Sequence, residues 1–312
     1  MTLSVRLLLS FFVLITACTA PGDPAAPVEP HSTAASGSVA ESTASVPYGA
    51  NEANGQFVEL NGIRIYFEVY GEGAPLLVLH GNGGSIAGMR AQIPAFAENH
   101  KVIAVDSRGQ GQSSDGDAEI TYALMAEDMV ALLNALELDK ADVFGWSDGG
   151  IIGISMAHAH PERVGKVVAF GANYHWDDAI EFPTPAEDDT PDPLLKVIEP
   201  YAAQFIEDMK NLAPETQVKL GALMEQYPNF TLEALSQIQC PILVMSGDHD
   251  LVKLEHTLRM FQHLPHAQLS IIPGSSHCAP WEQPEVVNAT SLRFFDSEYR
   301  DFNPAYWMSI FE

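Results

Sequence analysis

The chain has 312 residues, of which 46% are hydrophobic and 18% charged, so its composition is that of a folded globular protein and excludes disorder throughout. Asp and Glu number 41 against 15 Lys and Arg, which gives a formal net charge of -26. A surface this acidic repels phosphate backbones and anionic lipid headgroups, which argues against nucleic acid as a partner. Three cysteines are too few for a disulfide scaffold.

The N-terminal residues predict an exported chain. Arg6 precedes an apolar run over residues 7–15 that is too short to span a bilayer, which is typical of a signal peptide over residues 1–17. The segment Ile15-Thr16-Ala17-Cys18 resembles the lipobox of bacterial lipoproteins, whose cysteine is acylated and becomes the new N-terminus. That resemblance implies lipidation of Cys18 and a lipid-anchored place in the bacterial cell envelope, on its periplasmic or surface side. The alternative is an ordinary signal peptide with an incidental cysteine.

Residues 18–54 predict a flexible linker between this anchor and the folded part. They consist of Ala, Pro, Ser, Thr, Gly and Glu with almost no large apolar side chains, so they cannot bury enough surface to offset the entropy of ordering.

The folded part opens with a predicted hairpin. Apolar and polar residues alternate over 57–60 and 63–70 around Asn61-Gly62, a dipeptide that suits a two-residue turn because both positions tolerate positive φ. Short apolar runs then alternate with helical patterns, which favours an α/β fold with a mainly parallel sheet and helices on both faces. The runs are PLLVLHG, KVIAVDSRG, DVFGWS and KVVAFGAN, and the predicted helices lie near residues 89–97, 122–138 and 148–158.

The alternation stops at residue 175 and resumes at 237. Helical patterns over 194–212 and 215–225 lie between, so residues 175–236 predict an inserted helical lid, with the core in 55–174 and 237–297. A strand in PILVMSGD, an amphipathic helix, a strand in AQLSIIPG and a helix over 284–295 complete the core. The aromatic tail, residues 298–312, is expected to pack on this core.

Gly145-Trp146-Ser147-Asp148-Gly149 is the strongest chemical signal. Small residues at both ends of G-x-S-x-G allow a tight strand-to-helix turn that raises the serine hydroxyl above the sheet, and an apolar strand and a helical pattern flank it here. Ser147 is therefore the candidate nucleophile. A serine needs a base and an orienting carboxylate. Asp248, Asp250 and His277 follow later strands, and the ends of parallel strands converge on one edge of the sheet.

Together these motifs resemble the α/β-hydrolase family over residues 56–296. The resemblance includes HGNGG at residues 80–84, DSRGQGQS at 106–113, GWSDGG at 145–150 and SGDHD at 246–250, with the chain order of serine, acid and histidine. It implies Ser147 as nucleophile, His277 as base and Asp250 as the acid, in preference to Asp248. The loop after the preceding strand, with Asp177 and Asp178, is an alternative position for that acid in this family.

The resemblance also implies an oxyanion hole. Its two donors would be the backbone N–H groups of Asp148, directly after the nucleophile, and of Asn82, in a glycine-rich loop. The Asp148 carboxylate is explained by the helix dipole, and Asp106 and Arg108 are expected to brace their loop as a pair. The remaining histidines lack metal-ligand spacing, and the chain has no Rossmann fingerprint or P-loop, so no metal or cofactor is expected.

The predicted function is that of a serine esterase that cleaves a carboxylic ester of a small or medium molecule through an acyl-enzyme. The sequence leaves open a lactonase or another acyl hydrolase, and a non-catalytic envelope binding lipoprotein. The sequence does not determine the oligomeric state. Cys240 opens the strand that ends near Asp250, whereas Cys278 lies at its far, catalytic edge, so both thiols are expected to be free.

Overall fold

The computed structural model describes residues 46–177, 179–181, 193–301 and 305–311. The predicted signal peptide, Cys18, most of the linker and Asp178 lie outside these residues. Within the described ranges, no helix combines the length and the apolar character that crossing a membrane requires.

One sheet of eight strands organises the chain, in the order β1-β2-β4-β3-β5-β6-β7-β8. The strands are β1 (Gly55–Leu60), β2 (Ile63–Tyr70), β3 (Ala74–Leu79), β4 (His100–Val105), β5 (Ala141–Trp146), β6 (Val164–Phe170), β7 (Ile242–His249) and β8 (Ala267–Ser276). Strand β2 pairs antiparallel with β1 and β4, and all other pairs are parallel. The predicted hairpin and the mainly parallel sheet are confirmed, with Asn61 and Gly62 at φ values of 46° and 74°.

Both faces of the sheet are covered, which explains why the central strands are apolar without interruption. Along β3, Leu77 and Leu79 pack in one core cluster, whereas Leu76 and Val78 pack in the cluster on the other face. Because successive strand residues point to opposite faces, a strand buried on both sides needs apolar side chains at every position.

Helices connect the strands and cover the sheet. They are α1 (Ile93–Phe96), α2 (Tyr122–Ala135), α3 (Asp148–Ala159), α4 (Pro193–Asn211), α5 (Pro214–Gln226), α6 (Leu232–Leu235), α7 (Leu254–His263), α8 (Ala279–Glu282), α9 (Pro284–Asp296) and α10 (Ala305–Met308). Thr121 caps α2 by accepting the backbone N–H of Leu124 at 3.1 Å, as the sequence predicts. The helix predicted over 89–97 is replaced by a short 3-10 turn, Ile86–Met89, and the single turn α1.

The N-terminal end of the described chain is held on the sheet by Glu68. This carboxylate is fully buried, and it accepts the backbone N–H groups of Gly49 at 3.0 Å and Asn51 at 2.9 Å and the hydroxyls of Tyr66 and Tyr70. A buried carboxylate needs such donors, because transfer from water is costly without hydrogen bonds. The folded part therefore begins no later than Gly49, before the boundary at residue 54 that the sequence predicts.

Arg108 does not pair with Asp106, contrary to the expectation from the sequence. Its guanidinium donates two hydrogen bonds to Asp128 of α2, at 2.6 and 2.7 Å, and both side chains are at most 1% exposed. Asp106 instead accepts the backbone N–H groups of Ile86 and Gln112, each at 2.8 Å, and burial raises its pKa to about 7. The helical pattern of α2 places Asp128 on the polar face. It lies inside because the buried arginine and the Asn61 amide, at 2.9 Å, both donate to its carboxylate.

The end of the chain is also more exposed than expected. Among the described tail residues, Met308, Ile310 and Phe311 expose 68%, 55% and 83% of their surface. Tyr299 does pack, with its ring 5.9 Å from that of His266. The expectation that the aromatic tail packs on the core is therefore wrong for residues 308–311.

Candidate active site

The turn that carries Ser147 is strained and depends on its glycines. Ser147 lies between β5 and α3 with φ 55° and ψ -118°, a conformation that non-glycine residues rarely adopt and that costs about 1–3 kcal/mol. Its N–H donates to the carbonyl of Phe170 at 2.7 Å. A Cβ at Gly145 would overlap the backbone of Gly149, and one at Gly149 would overlap that of Leu79. The sequence therefore permits the turn because both flanking residues are glycine.

His277 and Asp250 form a buried pair at the same edge of the sheet. Nδ1 of His277 lies 2.7 Å from Oδ1 of Asp250, and their side chains are 11% and 1% exposed. The same carboxylate oxygen accepts the backbone N–H of Val252 at 2.9 Å. Gly171, at φ 58°, lets the chain after β6 pass the imidazole, because a Cβ there would lie 2.8 Å from the ring.

The contact between His277 and Asp250 shifts the pKa of both side chains. Burial acts against the charged form of His277, but the Asp250 carboxylate outweighs it, so the pKa of His277 is raised above its usual value. Burial likewise raises the pKa of Asp250, but the imidazole and the Val252 N–H reverse this and the net shift is downward. Because Nδ1 donates to the carboxylate, Nε2 is the nitrogen of the neutral ring that can take a proton.

Trp146 joins the serine turn to the histidine loop. Its indole N–H donates to the backbone carbonyl of His277 at 2.9 Å, and the two rings lie 6.1 Å apart. Since Trp146 directly precedes Ser147, this bond holds the candidate nucleophile and the candidate base at one place.

Neither Asp248 nor Asp177 takes the place of Asp250 beside the imidazole, and Asp178 lies outside the described residues. Asp248 accepts the backbone N–H of Ser275 at 3.1 Å, and backbone donors of this turn lower its pKa. Strand β7 continues to His249, and its register with β8 shifts after Gly247, which turns Asp248 away. Asp177 is exposed.

A glycine-rich loop passes close to Ser147 and carries Asn82. A Cβ at Gly81 would lie 3.2 Å from Cβ of Ser147 and 3.8 Å from its Oγ, so the loop backbone is directly beside the nucleophile. Asp148 is the first residue of α3, and the first N–H groups of a helix have no acceptor within it. The Asn82 loop and the start of α3 are therefore the candidates for the two sides of an oxyanion hole.

Two residues that sequence reasoning missed fix this loop. His80 donates from Nδ1 to the carbonyl of Gly81 at 2.8 Å and accepts the N–H of Ser107 on Nε2 at 3.1 Å. Burial lowers the pKa of His80 to about 4, which keeps it neutral. Gln110 accepts the N–H of Gly83 at 2.6 Å. His80 could have been found from the sequence, because it directly precedes the glycines of the loop. Gln110 could not, because it comes from another loop and no local pattern links it to this one.

The Asp148 side chain does more than face the helix dipole. It is 4% exposed, and its carboxylate accepts the amide of Asn82 at 2.9 Å and the hydroxyl of Tyr122 at 2.8 Å. The dipole explanation is thus incomplete, because the carboxylate also joins the Asn82 loop to the start of α3.

Helix α4 lies over the same loop. Ser85 donates its hydroxyl to Asp208 of α4 at 2.6 Å, and the sulfur of Met209 packs against Gly83, where a Cβ would displace it. Helix α4 therefore contacts the candidate oxyanion loop directly.

The remaining histidines and cysteines do not assemble a metal centre. In the part of the chain that the structure describes, no three His, Cys, Asp or Glu side chains come together as a metal site requires. Buried His256 accepts the backbone N–H of Tyr174 at 3.1 Å. Cys240 and Cys278 are both free, as the sequence predicts.

Comparison with known proteins places this geometry in a family. The sequence model of the family described as alpha/beta hydrolase fold matches residues 74–192 of the chain. The chain is 30% identical to the RutD protein of Caulobacter sp. (strain K31), whose name assigns it provisionally to carbamate hydrolysis, over 262 residues that span 75% of this chain and 96% of that protein. It is 29% identical to the mouse (Mus musculus) serine hydrolase BPHL over 231 residues, which are 70% of this chain and 79% of that protein.

A solved structure shares the architecture. A hydrolase from Pseudomonas aeruginosa PA01 has a TM-score of 0.69 to this chain at 25% identity, and the match covers 79% of this chain and 100% of that one. The parallel sheet, the strand-to-helix turn around Ser147 and these similarities lead to one conclusion: the chain is a hydrolase of the α/β-hydrolase family.

Proposed function

We propose that the chain is a serine hydrolase that cleaves a carboxylic ester of a small or medium molecule through an acyl-enzyme. The observation that carries the proposal is the buried Asp250–His277 pair, joined through Trp146 to the strained turn of Ser147. A neutral imidazole that a carboxylate orients is what a serine hydroxyl needs for activation.

The proposed reaction has two halves. Oγ of Ser147 attacks the ester carbonyl carbon while Nε2 of His277 takes its proton, and the N–H groups of Asn82 and Asp148 stabilise the oxyanion. The oxyanion collapses, the bond to the alcohol breaks, and His277 returns the proton to the leaving alcohol. Water, deprotonated by His277, then attacks the acyl-enzyme, and the bond between the acyl group and Oγ of Ser147 breaks. His277 returns the proton to Oγ as the acid is released.

The position of helix α4 supports the proposed size of the substrate. Its contacts with Ser85 and Gly83 bring it over the oxyanion loop, so we propose that the inserted helices act as a lid over the acyl pocket. A covered pocket favours small and medium esters over the surface of a polymer.

Carbamate hydrolysis is a second candidate, because a relative with 30% identity is named for it and a carbamate carbonyl undergoes the same attack. A screen of p-nitrophenyl esters of increasing chain length, with lactones and aryl carbamates in parallel, tests the proposal. We expect turnover of short and medium esters that is absent in Ser147→Ala. If the enzyme turns over lactones or carbamates but not esters, the proposed substrate class would change from esters to those compounds. No turnover of any of them would favour an envelope binding lipoprotein.

We further propose that the enzyme is exported and lipid-anchored at Cys18, which lies outside the described residues. Two or more acyl chains give stable anchoring where one does not. Cys18→Ser should move the protein from the detergent phase to the aqueous phase in a Triton X-114 partition. A wild-type protein that is itself aqueous and begins at another residue would contradict this.

A further inference from the structure

The buried carboxylate of Asp148 has no step in the reaction proposed above, where only its backbone N–H takes part. Its side chain nevertheless accepts two hydrogen bonds, from Nδ2 of Asn82 at 2.9 Å and from the hydroxyl of Tyr122 at 2.8 Å. Asp148 and Tyr122 are each 4% exposed. A carboxylate that only complements a helix dipole can do so at the surface, so its burial calls for a second reason.

The three side chains belong to three separate elements. Asn82 lies in the loop after β3, Asp148 begins α3 directly after Ser147, and Tyr122 begins α2 after its Thr121 cap. The loop backbone at Gly81 passes within contact distance of Ser147. The Asn82–Asp148 hydrogen bond therefore spans the gap across which the oxyanion would sit, and it connects the two candidate donors through their side chains.

Other hydrogen bonds hold this loop at different points. His80 fixes its beginning and Gln110 binds the N–H of Gly83. The Asp148 bond is made by Asn82 itself, the residue whose N–H must point at the oxyanion. A displacement of about 1 Å of a group in such a site can lower the rate 10²-fold. A hydrogen bond that fixes the position of Asn82 can therefore affect the rate directly.

We propose that Asp148 is a positioning residue whose carboxylate holds the Asn82 loop at the spacing from Ser147 that the oxyanion requires, with Tyr122 fixing the carboxylate from the other side. The inference rests on the proposed function and deepens it by assigning a role to two side chains that the reaction does not use directly. It makes a specific prediction: Asp148 acts through Asn82, so the two side chains are energetically coupled.

A double-mutant cycle on ester turnover tests this coupling. Asp148→Ala and Asn82→Ala keep both backbone N–H groups, and each should lower kcat by about 10- to 100-fold, less than the 10²–10³ that loss of a whole oxyanion donor costs. The double variant should be no more than about twofold worse than the worse single variant, because both substitutions remove the same Asn82–Asp148 hydrogen bond. Multiplied effects would overturn the proposal, as would wild-type kcat in Asp148→Ala.

Two further variants separate positioning from charge and from misfolding. Tyr122→Phe removes only a hydroxyl and should lower kcat about threefold to tenfold. Asp148→Asn keeps one oxygen that can accept the Asn82 amide, and its NH2 group can donate to the Tyr122 oxygen, so it should lose less kcat than Asp148→Ala. Ser155→Ala is the control for α3, because Ser155 is buried and bonds the carbonyl of Ile151 at 2.8 Å, remote from the loop. It should retain wild-type kcat.

The pH profile gives a readout that a purely structural role would not move. The ionisable groups that face His277 are Asp250, Asp148 and Glu282, and all three favour its charged form. Asp148→Asn removes one of them, so the acid limb of kcat/KM should shift to lower pH. An unchanged limb, together with a kcat as low as that of Asp148→Ala, would overturn the positioning role.

The activity of the wild-type protein shows whether the proposed function or only the positioning role of Asp148 has failed. If it hydrolyses esters and Asp148→Ala does so equally well, only the positioning role fails. If wild-type protein neither hydrolyses the panel of acyl substrates nor reacts with a fluorophosphonate at Ser147, the proposed function fails and this inference falls with it.

Discussion

The carboxylate of Asp250 lies 2.7 Å from Nδ1 of His277, whereas Asp248, two residues earlier, bonds the backbone N–H of Ser275 instead. The side chain of Asp250 is 1% exposed and that of Asp248 is 36% exposed. The structure therefore separates two carboxylates that the sequence places almost side by side.

This separation predicts different effects for two matched substitutions. Asp250→Asn should lower kcat by about 10⁴, because the orienting carboxylate fixes the tautomer of the imidazole and stabilises the imidazolium. Asp248→Asn removes a charge only at the exposed turn, keeps an oxygen that can accept the Ser275 N–H, and should retain most of the activity. Steady-state kinetics on a p-nitrophenyl ester checks both. The reverse pattern would transfer the orienting role to Asp248.

The pH dependence of turnover follows from the raised pKa of His277. The imidazole must be neutral to accept the serine proton, so kcat/KM should fall as pH decreases through a pKa above the ordinary histidine value of about 6.5. In Asp250→Asn the main cause of the upward shift is gone, and the acid limb of the residual activity should move to lower pH. A wild-type acid limb below the ordinary histidine value would contradict the proposed ion pair.

The buried Arg108–Asp128 pair predicts a large effect on stability away from the chemistry. Asp128→Ala leaves a guanidinium that is 1% exposed without its charged partner and with only its bond to the carbonyl of Asp115, which should reduce the free energy of unfolding by about 3–5 kcal/mol. The control is Glu207→Ala, which breaks the exposed Glu207–Lys210 pair and should cost less than about 1 kcal/mol. Urea unfolding measures both, and equal losses would refute the buried pair as a main stabilising contact.

Much of the fold can be predicted from the sequence because its signals are local. Asn61-Gly62 indicates the hairpin, the uninterrupted apolar runs indicate strands buried on both faces, and Gly145 and Gly149 indicate the turn at Ser147. Ser147 and His277 can be named because the loops after parallel strands share one edge of the sheet.

The interactions that local patterns miss join residues far apart in the chain. Asp148 bonds Asn82 across 66 positions, and Arg108 reaches Asp128 across 20 positions into the next helix. In both cases the sequence already offers a local reason for the carboxylate. Asp148 can complement the dipole of α3, and Asp128 fits the polar face of α2. Only the packing of the loops against α2 and α3 shows that both carboxylates are buried and bonded.

The most direct test of the central claim is the site at which a fluorophosphonate reacts with the protein. Intact-mass and peptide-mapping spectrometry should find one phosphonyl group on Ser147 in the wild type and none in Ser147→Ala, whose ester turnover should fall by at least about 10⁴-fold with the fold intact. Labelling at another residue, or ester turnover that survives in Ser147→Ala, would contradict the role of Ser147 as the nucleophile.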